Sequence, residues 1–358
     1  MEDEIRNLLR ALFLVITSLS YCYLIVAKLP KGKARLISLL PVFYLFYTIP
    51  WIFSSVTLRA ITAFYFTWVS NFKLLMLSFD KGPLSSHHMS MFSFITIAAF
   101  PIQIKEGPPP QHHKTPPKPS LNLKSLIPIA LKVLFSVGLV TLFPHMRETF
   151  PNFILVLYCM HIFLVIDLVV VGSANLARTM VGRELQPQFD KPHLSTSLQN
   201  FWGRRWNLIA TYILRPTVYN PILSTLTRFV DVLLAKMVAV PTTFLVSGLI
   251  HELILYYMTD GEEPSWEITC FFVLHGCCTA MEILVKEAVG VKYRWRPVIS
   301  SSLTLGFVVA TAMWLLIPPF LKSGIDVKGI EEYTTFLMFL AKKQEALQLV
   351  LKKHVKLF

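Results

Sequence analysis

The chain has 358 residues, a formal net charge of +13, 54% hydrophobic residues and only 15% charged ones. A soluble domain carries about 25% charged residues, and folding alone could not hide this much apolar surface from water. The composition therefore excludes a soluble globular protein and predicts one that lives in a bilayer, where 27 Phe, 12 Tyr and 7 Trp suit aromatic belts.

A membrane-spanning helix needs about 20 apolar residues. The first candidates are residues 11–27, 36–55 and 61–79. The first lacks a small-residue cleavage site and reads as a retained span rather than a signal peptide. Asn71 and Lys73 mark the end of the third, where a lysine can snorkel to the interface. The apolar patch 91–104 is short and broken by proline, and reads as interfacial or re-entrant. Residues 107–120 (GPPPQHHKTPPKPS) form a proline-rich solvated loop, with His112 and His113 in water. Further spans are predicted at 127–143, 153–172, 238–258, 265–285 and 299–318. The expectation is a single multispanning unit over 1–358, an all-α integral membrane protein of about eight transmembrane helices (seven to ten). No internal repeat is visible.

Basic residues gather in alternate loops. Lys28, Lys31, Lys33 and Arg35 follow the first span, and Lys81, Lys105, Lys114, Lys118 and Lys124 follow the third. Arg178, Arg183, Lys191, Arg204, Arg205, Arg215 and Arg228 fall in the long loop 176–228. Lys286, Lys292, Arg294 and Arg296 follow the seventh span. The positive-inside rule puts these loops in the cytosol and Asp260, Glu262 and Glu263 on the other side. Eight spans then leave the basic tail, Lys342 to Lys356, on the lumenal side, against the rule. In this setting the positive charge faces lipid headgroups rather than nucleic acid. Cys22, Cys159, Cys270, Cys277 and Cys278 form no CxxC pair and read as buried thiols, with neither disulfides nor a zinc site indicated.

Two segments are unlike ordinary packing. The first, LQNFWGRRWN (198–207), precedes an amphipathic stretch at 208–226 and also reads as an interfacial helix anchored by Trp and Arg. The second, FLVSGLIHE (244–252), puts His251 and Glu252 inside an apolar span, where ionisable residues are expensive. An interhelical hydrogen bond would satisfy His251, but an imidazole can also accept a proton near neutral pH. Ser247 and Gly248 lie one turn away and leave room beside it for a substrate or a neighbouring helix. Glu252 points about 100° further round and reads as a brace for a neighbour. His161, Asp167 and His275 could line a cavity, though interhelical hydrogen bonds account for them as well.

FWGRRWN (201–207) followed by FLVSGLIHE resembles the motif pair of the membrane-bound O-acyltransferases, and the branch most resembled is the plant wax synthase family. NFKLLMLSFDKGPL (71–84) and QPQFDKPHLSTSLQNFWGRRWN (186–207) add to the likeness, which covers nearly the whole chain. The resemblance implies an intramembrane reaction chamber with His251 as catalytic histidine and Asn207 as partner asparagine. The substrates implied are acyl-CoA and a long-chain lipid alcohol, with no further cofactor and no metal, in the endoplasmic reticulum membrane. Trp202, Arg204, Arg205, Trp206, Ser247 and Glu252 are candidate substrate contacts. Arg204, Arg205 and Arg215 could meet the phosphates of CoA or serve as headgroup anchors. Where other branches have an acidic or different residue before the FW pair, this chain has Asn200. Sterol or diacylglycerol acceptors are alternatives within the enzyme reading, and a transporter is the alternative outside it.

Overall fold

The computed structural model describes residues 2–86, 89–105, 123–150, 153–289 and 296–355, so the proline-rich segment 107–120 lies outside it. Helix α1 (Glu2–Leu24) buries Ala11, Val15, Leu19 and Cys22, a stripe at helical spacing. Leu9, Phe13 and Ile16 on its other side are exposed, as lipid-facing residues are. Next come α2 (Lys33–Thr48) and a span made of α3 (Val56–Thr62), a π-helical stretch at Ala63–Ser70, and α4 (Asn71–Ser78). Helix α5 (Met91–Ala99) has nine residues and rises only about 14 Å, too little to cross a bilayer. It starts at Ser90, whose hydroxyl accepts the Ser93 N–H, and stops before Pro101. That fits the interfacial reading of 91–104.

Helices α6 (Leu123–Thr149) and α7 (Ile154–Val181) lie antiparallel. Their contacts pair Lys132 with Asp167, Ser136 with His161 and Phe143 with Tyr158 in opposite chain directions. Helix α7 runs to Val181 and ends on left-handed Gly182, so the connecting segment begins later than residue 176. That segment carries α8 (Leu198–Arg204), α9 (Leu208–Leu214), a π-helical turn at Arg215–Tyr219 and α10 (Asn220–Leu226). Then follow α11 (Val232–Met258), α12 (Glu267–Val289), α13 (Pro297–Thr311), a π-helical turn at Ala312–Leu316, α14 (Pro318–Lys322) and α15 (Ile325–Val355). Among the described residues seven helices are long and apolar enough to cross a membrane, and Ile127–Phe143 within α6 is a shorter apolar stretch. The sequence did not foreshadow the 31-residue α15, because its polar residues dilute the hydropathy signal.

Helix ends leave backbone groups unpaired, and in this chain charged side chains from distant elements satisfy several of them. Glu332 accepts the N–H groups of Val56 and Thr57 at the start of α3, and Glu4 accepts those of Ser54 and Ser55. Arg59 donates to the Tyr257 carbonyl and to Asp260 at the end of α11. Lys73 corrects a sequence expectation. It does not snorkel: it is fully buried and its ammonium donates to the carbonyls of Ile97, Phe100 and Ile102 at 2.7, 2.6 and 3.1 Å. All three N–H donors are thus used on the end of α5, which removes the reason to reach for water. The cysteine expectation holds only for Cys22; Cys270 and Cys277 are exposed on a spanning helix.

Helices α11 and α12 approach closely where glycines face them. A Cβ on Gly276 would lie 2.7 Å from the Phe244 Cβ and 3.1 Å from the Pro241 Cα. A Cβ on Gly248 would lie 3.0 Å from the Thr269 Cα. The room over Gly248 is therefore filled by a neighbouring helix, the second of the two readings left open for that position. Small residues at such crossings let membrane helices pack backbone to backbone.

Candidate active site

His251 projects from α11 between two aromatic rings. Phe272 of α12 stacks on it with centroids 4.3 Å apart, and Trp68, from the π-helical stretch, meets it edge-on at 5.4 Å. Its Nδ1 lies 2.7 Å from the Ser247 carbonyl oxygen. A carbonyl only accepts, so Nδ1 carries the proton and the Nε2 lone pair is left to act as a base. Ser247 thus contributes its main chain to the imidazole. Glu252, which is buried, accepts from the Trp266 and Thr269 N–H groups and from the Thr269 hydroxyl. Its carboxylate caps the start of α12 from across the helix pair, the bracing role its position on the helix suggested, and both oxygens are occupied there rather than offered to a substrate.

The motif loop is built around the same place. Trp202 donates its indole N–H to His275 Nδ1 at 3.1 Å and lies 5.9 Å from the Phe272 ring. Trp206 stacks on Phe201 of the loop and on Phe163 of α7 at 5.3 and 5.6 Å, which ties the loop to that helix. Arg205 donates to the Asn200 side-chain oxygen at 2.9 Å and to the Asp190 and Lys191 carbonyls. Its guanidinium clamps the loop, which also gives Asn200 a partner, and this use competes with the expected phosphate contact. Arg204 stays exposed. Asn207 has φ +40°, the left-handed region that asparagine tolerates, and its Oδ1 accepts the Ala210 N–H at 3.3 Å as the N-cap of α9. With Oδ1 so placed, the Nδ2 amide is the group left to donate. Ile209 and Ile213 of α9 pack with Trp68, and Ile250 and Ile254 of α11 pack against that cluster. The loop therefore reaches the surroundings of His251 by two routes, Trp202 to Phe272 and α9 to Trp68. The loop is also stitched to the exit of α5, through an antiparallel bridge between Ile104 and Leu185 and a hydrogen bond from Gln188 to the Pro101 carbonyl.

The sequence profile of the membrane bound O-acyl transferase family matches residues 185–274, which hold both the motif loop and His251. The long-chain-alcohol O-fatty-acyltransferase of Simmondsia chinensis is 40% identical over 345 residues, 96% of this chain and 97% of that protein. Acyl-CoA–sterol O-acyltransferase 1 of Arabidopsis thaliana is 39% identical, over 93% of this chain and 96% of that protein. Probable long-chain-alcohol O-fatty-acyltransferase 1 of the same plant is 40% identical, again over 93% of this chain and 96% of that protein. The chain belongs to the membrane-bound O-acyltransferase family. In this acyltransferase the sequence pointed to His251, Asn207 and Trp202 but not to Trp68 or Phe272, the two rings that enclose the imidazole. Both are aromatic residues in aromatic-rich spans, so no local pattern singles them out.

Proposed function

We propose that this acyltransferase transfers a long-chain acyl group from acyl-CoA to the hydroxyl of a long-chain alcohol, forming a wax ester. The observation that carries the chemistry is the 2.7 Å approach of His251 Nδ1 to the Ser247 carbonyl oxygen; because a carbonyl only accepts, it places the proton on Nδ1 and leaves Nε2 as the base. The alcohol proton passes to Nε2 as its oxygen attacks the thioester carbon. The Asn207 amide donates to the oxyanion, the C–S bond breaks, and the imidazolium returns the proton to the departing CoA thiolate. Direct transfer needs no enzyme nucleophile, metal or bound cofactor. The lipid alcohol enters from the bilayer, and CoA approaches the side bearing Arg204. We place the enzyme in the endoplasmic reticulum membrane. A sterol acceptor is the second reading, favoured by the 39% identity to the sterol acyltransferase.

Microsomes containing the protein, given labelled long-chain acyl-CoA and a panel of fatty alcohols, sterols and diacylglycerols, should yield labelled wax ester. A sterol ester as sole product would replace the acceptor with the second reading. His251→Ala in the same assay should cut the rate by about 10² to 10⁴ while the protein still accumulates; near-normal turnover would remove His251 from the mechanism.

A further inference from the structure

His275 sits on α12, two turns before Glu282, and the two residues hold α8 at two points. Glu282 accepts the N–H groups of Leu198 at 2.8 Å and Gln199 at 3.4 Å, at the start of α8. His275, fully buried, receives the Trp202 indole N–H at Nδ1. An indole nitrogen only donates, so Nδ1 must be the bare nitrogen. The proton then sits on Nε2, which lies 2.8 Å from the Thr311 hydroxyl oxygen, and that hydroxyl in turn donates to the Phe307 carbonyl at 2.7 Å. Every hydrogen-bonding atom of this imidazole is used. His251 is its opposite: Nδ1 is protonated and Nε2 is the free base. The two histidines stand on adjacent helices, with neighbouring phenylalanines against them. Phe271 lies 4.4 Å from His275 and Phe272 4.3 Å from His251, and Trp202 contacts both phenylalanines.

We propose that His275 is a positioning residue for the acyl transfer: it fixes the Trp202 indole against Phe272, and so holds the motif helix α8 and the ring stacked on His251 in register. This rests on the acyltransferase reading of the site. A misplacement of about 1 Å at a reacting centre can cost about 100-fold in rate, so the contact acts on turnover rather than on the capture of acyl-CoA. The residue itself transfers no proton.

The experiment uses the full chain in nanodiscs, with 5-fluorotryptophan incorporated and the Trp202 signal assigned from Trp202→Phe. In His275→Asn the amide oxygen takes the place of Nδ1 and keeps the bond to Trp202. In His275→Gln the amide reaches the Nε2 position and keeps only the bond to Thr311. The expected result is an unshifted Trp202 fluorine signal and turnover within about fivefold of the parent for His275→Asn. For His275→Gln the signal should shift and kcat fall about 10- to 100-fold, with KM for acyl-CoA changed less than about threefold. In a Trp202→Phe background the difference between the two variants should vanish, as it must if one acts through the other. The reverse order, with His275→Gln the healthier protein, would make His275 a strut between helices and overturn the proposal, as would full, additive losses in the Trp202→Phe background. The fluorine signals judge the contact even if the parent makes no ester, an outcome that would fail the acyltransferase reading instead.

Discussion

At the scale of single residues, one substitution separates the observed cap of Asn207 from the donor role proposed for it. Its Oδ1 caps α9 and its backbone occupies the left-handed region, both of which aspartate also manages. Asn207→Asp keeps both of these but exchanges the amide N–H donors for a carboxylate that cannot donate when ionised. The variant should therefore accumulate and melt like the parent while turnover falls about 10² to 10³, the usual loss for one oxyanion donor. Steady-state kinetics in matched membranes decide the matter, and normal turnover in Asn207→Asp would leave the residue as a cap alone. The sequence showed His251 because an ionisable group in an apolar run stands out. It misread Lys73, since the run continues past the lysine and nothing local announces three carbonyls waiting at the end of α5. Arg205 was legible as a cation but not as a clamp, because its partners at Asp190 and Lys191 come from a turn whose path is set by tertiary packing.

At the scale of elements, the α11–α12 pair positions the site, since His251 and Glu252 come from one helix and Phe272 and His275 from the other. The pair depends on two glycines. Gly276→Ala puts a methyl 2.7 Å from the Phe244 Cβ and 3.1 Å from the Pro241 Cα, where a helix backbone must move. Overpacking of this kind costs about 1–3 kcal/mol, so the variant should show a clearly lower melting temperature in detergent. Gly203→Ala, which adds a methyl in open space, is the control and should melt with the parent. Equal melting of Gly276→Ala would mean the helices separate without penalty. The spans themselves were legible because length and hydropathy suffice to define them. Their interruptions were not: the π-helical stretch that carries Trp68 reads as ordinary apolar helix, and α8 to α10 are too short for periodicity to set their bounds.

At the scale of the molecule, contacts gather segments that the charge pattern assigns to one side. Glu4 reaches Ser54 and Ser55, Glu332 reaches Val56 and Thr57, Arg59 reaches Asp260, and Tyr158 donates to Asp326. These are the N-terminus, the loop before α3, the loop after α11, the start of α7 and the start of α15. An even number of crossings separates any two of them if each long apolar helix and α6 traverse the membrane once. The basic loops, including the motif loop, then fall on the opposite side, where the positive-inside rule wants them. The tail conflict eases as well, because Lys342 and Lys343 sit well along a 31-residue helix rather than in a short loop of the kind the rule counts. A protease tag inserted within residues 107–120 should be cut in intact microsomes. A tag placed between Gly261 and Glu263, or ahead of Glu2, should be protected until detergent is added. Cleavage of the latter pair in sealed vesicles would invert the orientation and put CoA on the wrong side of Arg204.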